Sequence, residues 1–281
     1  MQYRLLHVSD LHAGPPFDLQ AAERLVEAAH AHQPDLLVIS GDFVQRADMA
    51  DQWRTIKGLV ARLPQPQLVV PGNHDVPLYN GFRRLLAPLS VYKREISSNL
   101  NQVFERPGLM VVGGNSAHGL TVDGGYVSRQ QRTVLADLFQ RAPQESCRVA
   151  VLHHHVINPP AAHGRRMIRN NHQMVELFDR AQVDLLLCGH IHLSYIGNTR
   201  EVEPSLKHGT IICQCGTTTS RRGKGPERGR NSYNLITITA EHIQIDQYAR
   251  DGGSTDPFEQ VRANRFERSA NGHRAVDRNP M

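Results

Sequence analysis

Residues 67–75 read Gln-Leu-Val-Val-Pro-Gly-Asn-His-Asp, so a short apolar run ends in an amide, an imidazole and a carboxylate. Four other apolar runs in the 281-residue chain end in the same kind of side chain. The five polar groups, in chain order, are Asp10-x-His12, Gly41-Asp42, Gly72-Asn73-His74-Asp75, His153-His154-His155 and Gly189-His190-x-His192. Short continuous apolar runs are typical of buried parallel strands. Ligands bind beyond the carboxyl ends of such strands, so we expect the five groups to meet there.

The wider pattern predicts an α/β fold. Strands are predicted at 3–8, 35–39, 67–70, 109–112, 148–152 and 183–188, and helices at 19–32, 48–63, 79–89, 129–141 and 170–181. This alternation predicts parallel strands covered by helices. After residue 188 strands are predicted at 192–197, 210–214, 232–239 and 242–248, with few helices between them. These later strands indicate a second, more antiparallel sheet, whose last two strands form a hairpin around Ala240-Glu241.

The C-terminal residues have a different composition. Residues 1–250 contain all the strand and helix patterns and are predicted to form one domain. Residues 251–281 are polar, and their apolar content is Phe258, Val261, Phe266 and little else. We interpret this stretch as a tail that is either disordered or bound to a partner. Such a tail could serve as the arm of a dimer.

Composition excludes several classes of protein. Hydrophobic residues make up 40% of the chain and charged residues 21%, and the formal net charge is +5. These values are ordinary for a soluble globular protein. No apolar run approaches the roughly 18 residues of a membrane-spanning helix, and the first residues lack a secretory signal pattern. Four cysteines are too few for a disulfide scaffold, so we expect reduced thiols and a cytoplasmic location.

The five groups together resemble the signature of the calcineurin-like metallophosphoesterase superfamily, which is D-x-H, GD, GNHD, H and GHxH in that order. The resemblance covers roughly residues 1–250. It implies a four-layer αββα sandwich, with two mixed β-sheets packed face to face and helices outside. It also implies a metal-dependent phosphoric ester hydrolase in which a hydroxide between two metal ions attacks phosphorus. Mn, Fe, Zn or similar ions are expected, because mixed nitrogen and oxygen donors accept all of them.

The resemblance also implies a role for each site residue. One metal would be bound by Asp10, His12, Asp42 and His192, and the other by Asp42, Asn73, His153 and His190. Asp42 would therefore bridge the two metals. His74 would face the substrate, where it would stabilise the phosphoryl oxygens or protonate the leaving oxygen, and Asp75 would orient and charge it. His154 stays an alternative to His153, since the three histidines are consecutive.

Two residues of this chain differ from those that particular branches of the superfamily have at the same positions. Gln45 stands where purple acid phosphatases have Tyr, and His74 stands where the lipid A pathway pyrophosphatases have Arg. The pattern is most similar to the class III cyclic nucleotide phosphodiesterases. That branch more often has His-His-Pro at the fourth group, whereas this chain has His153-His154-His155-Val156. We therefore expect a small phosphorylated substrate, a phosphodiester such as a cyclic nucleotide. The alternatives are a nuclease of the same fold and a catalytically inactive scaffold, which the intact ligand set disfavours.

Three loops are further candidates for the pocket walls. Their residues are Asn115, Ser116 and His118 in the first, His163, Arg165, Arg166 and Arg169 in the second, and Arg221, Arg222, Lys224, Arg228 and Arg230 in the third. Arginine can bind phosphate through paired hydrogen bonds. Ordinary solvated loops are the alternative for the first two, and for the third we expect contact with solvent or a partner subunit. No long basic stripe is evident, so a nucleic-acid partner is not favoured.

Overall fold

A computed structural model describes residues 1–160, 166–269 and 272–278 of the chain. The helices are α1 Leu19–His32, α2 Ala50–Val60, α3 Gly81–Leu86, α4 Ser90–Glu95, α5 Arg129–Arg141 and α6 Asn171–Arg180. The strands are β1 Gln2–Val8, β2 Leu36–Ile39, β3 Gln67–Val69, β4 Val103–Arg106, β5 Leu109–Gly113, β6 Cys147–Val151, β7 Leu185–Cys188, β8 Tyr195–Asn198, β9 Ile211–Gln214, β10 Arg230–Thr239, β11 His242–Asp251, β12 Glu259–Ser269 and β13 Gly272–Arg278.

The strands form two mixed sheets. The seven-stranded sheet has the order β13-β12-β11-β10-β1-β2-β3, in which β1, β2 and β3 are parallel and the other pairs are antiparallel. The six-stranded sheet has the order β4-β5-β6-β7-β9-β8, with a parallel centre and an antiparallel strand at each edge. The predicted hairpin is the β10–β11 pair, in which Ile238 is opposite Ile243.

The two sheets pack face to face, with helices on both outer faces. Val38 of β2 and Val149 of β6 belong to one buried core between the sheets. Ile39 has the opposite orientation and packs in the outer core with Trp53 of α2. Phe139 of α5 belongs to the core on the outer face of the six-stranded sheet. Because β2 is covered on both faces, all four of its residues are buried and apolar, as its sequence predicts. The predicted α/β fold of two mixed sheets flanked by helices is confirmed.

The region predicted as one helix at 79–89 contains two short helices. The helix α3 begins after Asn80, whose side chain accepts a hydrogen bond from the backbone N–H of Arg83. It ends at Leu86, because Pro88 disfavours the helical conformation for the residue that precedes it. The helix α4 then starts at Ser90. The proline therefore limits α3 to less than two turns.

The C-terminal residues differ from the sequence-based prediction of a tail. The strands β12 and β13 extend the seven-stranded sheet, and Phe266 of β12 is opposite Ile243 of β11. Both side chains are buried in the core between the sheets. Phe258 packs 4.9 Å from the ring of Tyr233. The composition is polar because alternate residues of β12, such as Arg265, face solvent. A few buried aromatic residues are enough to attach these strands.

The four cysteines lie in or next to β6, β7 and β9. All four are buried and free, as expected for reduced thiols. None of the helices within the described ranges is long and apolar enough to span a bilayer.

Candidate metal centre

The loops that follow β1, β2, β3, β6 and β7 bring the five predicted polar groups together. The backbone N–H of His190 donates a 2.9 Å hydrogen bond to Oδ2 of Asp10, and Nε2 of His192 is 3.1 Å from Oδ1 of the same carboxylate. Nε2 of His153 is 3.4 Å from Oδ2 of Asp42. In each contact one residue belongs to a loop of the six-stranded sheet and the other to a loop of the seven-stranded sheet. The candidate site therefore lies where the carboxyl ends of both parallel regions meet.

The first cluster consists of Asp10, His12, Asp42 and His192. All four side chains are buried, and each offers a ligand atom within 4.8 Å of the others. The Nε2 atoms of His12 and His192 are 2.9 Å apart. Nε2 of His12 also lies 3.6 Å from Oδ1 of Asp10 and 3.6 Å from Oδ2 of Asp42. Two imidazoles and two carboxylates thus converge on one point.

The second cluster lies on the other side of Asp42. His153, His154 and His190 form a group of ligand atoms within 4.8 Å of one another. Oδ1 of Asn73 is 2.9 Å from Nδ1 of His190 and 3.2 Å from Nε2 of His153. Oδ2 of Asp42 faces both clusters, since it is close to His12 of the first and His153 of the second.

The two alternative histidines have different surroundings. Nδ1 of His153 is 2.7 Å from the backbone oxygen of Ser40, which leaves Nε2 directed at Asp42 and Asn73. Nδ1 of His154 is 2.8 Å from Oγ of Ser116. Nε2 of His154 has no hydrogen-bond partner in the part of the chain that is described. The geometry therefore favours His153 as the histidine beside Asp42, as the motif order predicts.

The donor set fits divalent cations. Oδ1 of Asp10 and Oδ2 of Asp42 are buried, and neither has a hydrogen-bond partner among the described residues. Burial raises the pKa of Asp10 and Asp42, but nearby histidines, chiefly His192 for Asp10 and His153 for Asp42, outweigh it and hold both pKa values well below the ordinary range. Buried ionised oxygens that lack a protein donor are costly unless a cation pairs with them. Carboxylate and imidazole donors suit first-row divalent metals.

The backbone is unusual at the predicted ligands. Within the described ranges, seven residues other than glycine have a positive φ, and five of them are predicted ligands. These five are Asp10, His12, Asp42, His190 and His192, with φ between 47° and 81°. A positive φ is unfavourable for residues with a side chain and tends to concentrate at functional sites. The fold thus holds these side chains in place at a local energetic cost.

Two glycines allow the loops to approach each other closely. A Cβ on Gly72 would overlap Oδ1 and the backbone nitrogen of Asp42, and one on Gly189 would overlap Ser9 and Oδ2 of Asp10. Each glycine therefore leaves the space in which a neighbouring carboxylate lies. The glycines of the GNHD and GHxH groups are needed for this reason.

His74 lies at the edge of the first cluster. Its backbone N–H donates a 2.8 Å hydrogen bond to Oδ1 of Asp42, and its ring is 4.7 Å from the ring of His12. Nδ1 lies 2.8 Å from the backbone oxygen of Gln45, so Nδ1 carries the proton. Nε2 is then the ring atom that remains for a substrate. The role of His74 towards a substrate stays a prediction.

The contacts of Asp75 differ from those predicted. Its carboxylate accepts hydrogen bonds from four backbone N–H groups, those of Asp42, Phe43, Val44 and Gly72, at 2.8–3.3 Å. The partner of the His74 ring is Gln45 instead. Residues Asn73–Asp75 form a single 3₁₀ turn, in which consecutive side chains point in different directions. Asp75 consequently points into the protein and supports the loop that carries Asp42.

A model of the calcineurin-like phosphoesterase family matches residues 3–194, which include all five polar groups. The chain belongs to the calcineurin-like phosphoesterase family. The superfamily resemblance is thereby confirmed, and the described residues include groups of side chains that could hold metal ions. A search of the curated proteins found no match.

Solved structures of phosphatases share the fold of this phosphoesterase. A purple acid phosphatase from yellow lupin (Lupinus luteus) seeds superposes with a TM-score of 0.71 at 12% identity, over 96% of this chain and 54% of the lupin chain. A dimetal phosphatase from Danio rerio gives 0.64 at 12% identity, over 92% and 98%. A structure of PhoD gives 0.71 at 13% identity, over 100% and 72%. This chain thus spans about half the length of the lupin phosphatase. At identities this low, the similarity to these structures shows a shared fold and nothing more.

One arginine of the phosphoesterase site was not expected there. Nδ1 of His192 is 3.0 Å from the backbone oxygen of Arg222, and the Arg222 guanidinium donates to Oε1 of Gln45. The loop of Arg222 therefore packs against the metal clusters, whereas the sequence suggested solvent or a partner subunit. The run of basic residues was the available signal, but it does not distinguish a site loop from a solvated one.

The other candidate loops contribute less to the described contacts of the phosphoesterase site. Oγ of Ser116 reaches His154, whereas Oδ1 of Asn115 accepts a local hydrogen bond from the backbone of Ala117. His163 and Arg165 lie outside the described residues. Asp123 was not predicted, yet its Oδ1 is 3.2 Å from Nε2 of His190.

Proposed function

We propose that this chain hydrolyses small phosphodiesters, with a cyclic nucleotide as one candidate substrate, and that it uses two metal ions to do so. The observation that carries this proposal is the position of Oδ2 of Asp42. This buried oxygen lies 3.6 Å from Nε2 of His12 and 3.4 Å from Nε2 of His153, and no described residue forms a hydrogen bond with it. A carboxylate in that position can join two neighbouring cations.

Each proposed ligand set follows one cluster. Asp10, His12, Asp42 and His192 would hold one ion, and Asp42, Asn73, His153 and His190 would hold the other. When bound, the two ions supply an activated water and neutralise the negative charge of the phosphate group. The protein orients its ligands through hydrogen bonds from Ser9 to Asp10 and between His153 and the Ser40 backbone oxygen.

The chain's own groups would then act on the substrate. The hydrogen bond between Nδ1 of His74 and the Gln45 backbone oxygen fixes the ring, so that Nε2 can contact a phosphoryl oxygen or the leaving oxygen. The partly buried guanidinium of Arg222 is close enough to Asp10 and Asp42 to interact with both charges. It is therefore available to pair with an oxygen of a phosphate bound beside them.

A cavity beside His74 supports a diester. Its volume is about 160 Å³, and its walls include Arg46, Val76, Leu78 and Val122. A phosphodiester has an organic substituent on both sides of phosphorus, and this cavity, whose walls combine apolar residues with the guanidinium groups of Arg46 and Arg84, could hold part of one of them. Arg46 and His74 both line this cavity, and Nη1 of Arg46 is 3.3 Å from Nδ1 of His74.

The test is a substrate panel run with Mn²⁺. Purified protein is assayed against cyclic nucleotides, dinucleotides, glycerophosphodiesters and mononucleotides. We expect cleavage of at least one diester class, with a higher kcat/KM than for any mononucleotide. His74→Ala should lower kcat by about 100-fold or more, with unchanged metal content. His172→Ala, which removes an exposed histidine of α6, is the matched control and should behave as the wild type.

Other outcomes of the panel would change the proposal. Preferential cleavage of mononucleotides would show that the enzyme is a phosphomonoesterase and not a phosphodiesterase. Nicking of plasmid or single-stranded DNA, with a strong dependence on salt, would indicate the nuclease alternative. No hydrolysis with any divalent metal, in protein that binds metal, would indicate an inactive scaffold.

A further inference from the structure

A second group of metal-ligating side chains lies away from the candidate metal centre. Asp184 directly precedes β7, whereas His190 and His192 follow the carboxyl end of that strand. This group therefore lies at the amino ends of the parallel strands, away from the candidate metal centre. The other members are His208, which precedes β9, and His273 of β13. Their ligand atoms lie within 4.8 Å of one another.

The two histidines are directed at the same carboxylate oxygen. Nε2 of His273 is 2.9 Å from Oδ1 of Asp184, and Nε2 of His208 is 3.4 Å from it. The two rings are 5.2 Å apart and almost perpendicular, with an interplanar angle of 84°. Oδ2 of Asp184 instead accepts a 2.7 Å hydrogen bond from the backbone N–H of Arg148. Oδ1 is thus the oxygen that faces the imidazoles.

This group leaves buried polar atoms unsatisfied. In the described part of the chain, neither Nδ1 nor Nε2 of His208 or His273 has a hydrogen-bond partner of normal geometry. The side chain of His273 is fully buried, and those of His208 and Asp184 are 8% exposed. Nδ1 of each ring is buried without a partner, and Nε2 of each faces Oδ1 of Asp184 without a normal hydrogen bond, which is costly because these atoms have lost their water. Two imidazole nitrogens that converge in this way on one carboxylate oxygen are an arrangement that a cation would satisfy.

We propose that Asp184, His208 and His273 bind a divalent transition-metal ion of the zinc type, at a structural site separate from the dinuclear centre. Two imidazole nitrogens and one carboxylate oxygen are donors that Zn²⁺ accepts, and water can complete the coordination. The guanidinium of Arg268 lies nearby, with Nη2 3.9 Å from Oδ2 of Asp184, the oxygen that faces away from the imidazoles. Its Nη1 also donates to the backbone oxygen of Thr239.

The bound ion would connect the six-stranded sheet to β13, the edge strand of the seven-stranded sheet. Asp184 and His208 belong to the segments that enter β7 and β9 of the six-stranded sheet. His273 belongs to β13, the edge strand of the seven-stranded sheet, whose one neighbour among the described strands is β12. A strand held along one side unfolds locally more easily than a central strand. The ion would therefore hold β13 in place, and its removal should loosen β13 before the rest of the sheet.

The experiment measures zinc stoichiometry and local protection together. Full-length protein is stripped with a chelator and dialysed against Zn²⁺, and bound zinc is counted for the wild type, His208→Gln, His273→Gln and the control His172→Gln. Hydrogen exchange of β12 and β13 is followed with and without Zn²⁺. We expect one equivalent less in both cluster variants than in the wild type and control. Zn²⁺ should slow exchange in β13 at least 10-fold in the wild type and not in the variants.

The outcomes also separate this site from the dinuclear centre. Asp42→Asn should lower zinc binding at the dinuclear centre while the zinc-dependent protection of β13 persists. The same variant is expected to lose diester hydrolysis, whereas His208→Gln should retain it within about twofold. Equal zinc stoichiometry in the wild type and both cluster variants would overturn the proposal. Equal exchange rates of β13 with and without Zn²⁺ in the wild type would also overturn it, leaving the group as a metal-free contact between the sheets.

Discussion

The carboxylate of Asp75 accepts a 2.9 Å hydrogen bond from the backbone N–H of Phe43. It accepts three further backbone hydrogen bonds, from Asp42, Val44 and Gly72. The loop after β3 thereby fixes the loop after β2, which holds Asp42 at a φ of 56°. Asp75 is a positioning residue for the proposed bridging ligand.

Replacement of Asp75 by asparagine should therefore damage both stability and the site. The amide keeps the shape of the side chain but turns one acceptor into a donor, which then faces backbone N–H groups. We expect a loss of about 1–3 kcal/mol in the free energy of unfolding, since a buried backbone N–H group that is left without an acceptor costs about that much. Urea unfolding measures this loss, and metal affinity should fall with it. Asp137→Asn, at an exposed position of α5, is the control. Wild-type stability in Asp75→Asn would contradict this role.

Gly72 should not tolerate a methyl group. In Gly72→Ala the new Cβ would overlap Asp42, so the carboxylate or the backbone of its loop must move. We expect metal binding and hydrolysis to be lost, with a destabilisation of about 1–3 kcal/mol from overpacking. Gly58→Ala is the matched control, because a Cβ there has open space on α2. That control should be neutral or more stable by up to about 1 kcal/mol, since alanine favours the helix. Metal titration and thermal unfolding of both variants check the contrast.

Arg222→Ala should weaken substrate binding more than it slows the reaction. The substitution removes a cation next to the proposed phosphate position. The backbone oxygen that accepts a hydrogen bond from His192 remains. We expect KM to rise about 10-fold, in line with the roughly 1.5–3 kcal/mol of a charge-assisted hydrogen bond. Metal content should not change. Arg228→Ala, an exposed arginine in the same loop, should leave KM unchanged. An unaltered KM in Arg222→Ala would place this guanidinium outside the substrate site.

His7 should make the fold sensitive to acid. It is fully buried in β1, with Nε2 2.9 Å from Oγ of Ser40, and burial lowers its pKa to about 3. The unfolded chain has the ordinary histidine pKa of about 6.5. Between these values the unfolded state binds the extra proton, so stability falls as pH falls from about 6.5 towards 3. The slope from this one group is about 1.4 kcal/mol per pH unit.

The contribution of His7 can be isolated by substitution. Urea unfolding of the wild type and His7→Gln between pH 7 and pH 4.5 measures it as the difference between two slopes. We expect the slope of unfolding free energy against pH to be smaller in the variant, by up to the equivalent of one bound proton. This difference does not depend on the stability of the variant at pH 7. His172→Gln should remain parallel to the wild type. Parallel curves for His7→Gln and the wild type would show that another group determines the acid response.

The sequence predicted those parts of the site that depend on strand ends. Asp10, Asp42, His153 and His190 follow continuous apolar runs, and parallel strands bring such ends to one edge whatever the intervening loops do. Arg222 could not be located in this way, because it reaches the site from a loop between β9 and β10. Asp75 was assigned the wrong contacts, since a turn of three residues determines its direction and no sequence pattern records that.

The second histidine group and the C-terminal strands were missed for related reasons. Asp184, His208 and His273 are far apart in the chain and follow none of the known ligand spacings, so they meet only through the sheet order. The strand β12 contains few apolar residues, yet Phe266 reaches the core between the sheets. Composition averaged over a segment does not show which of its residues share a face.

The pairing of β1 with β10 has a consequence for biosynthesis. Gln2 is opposite Thr239, so one long side of the first strand has no permanent neighbour until most of the protein has left the ribosome. An open strand side of this kind can join to other chains during that delay. The central pairing of the seven-stranded sheet therefore cannot form during synthesis until β10 has been made.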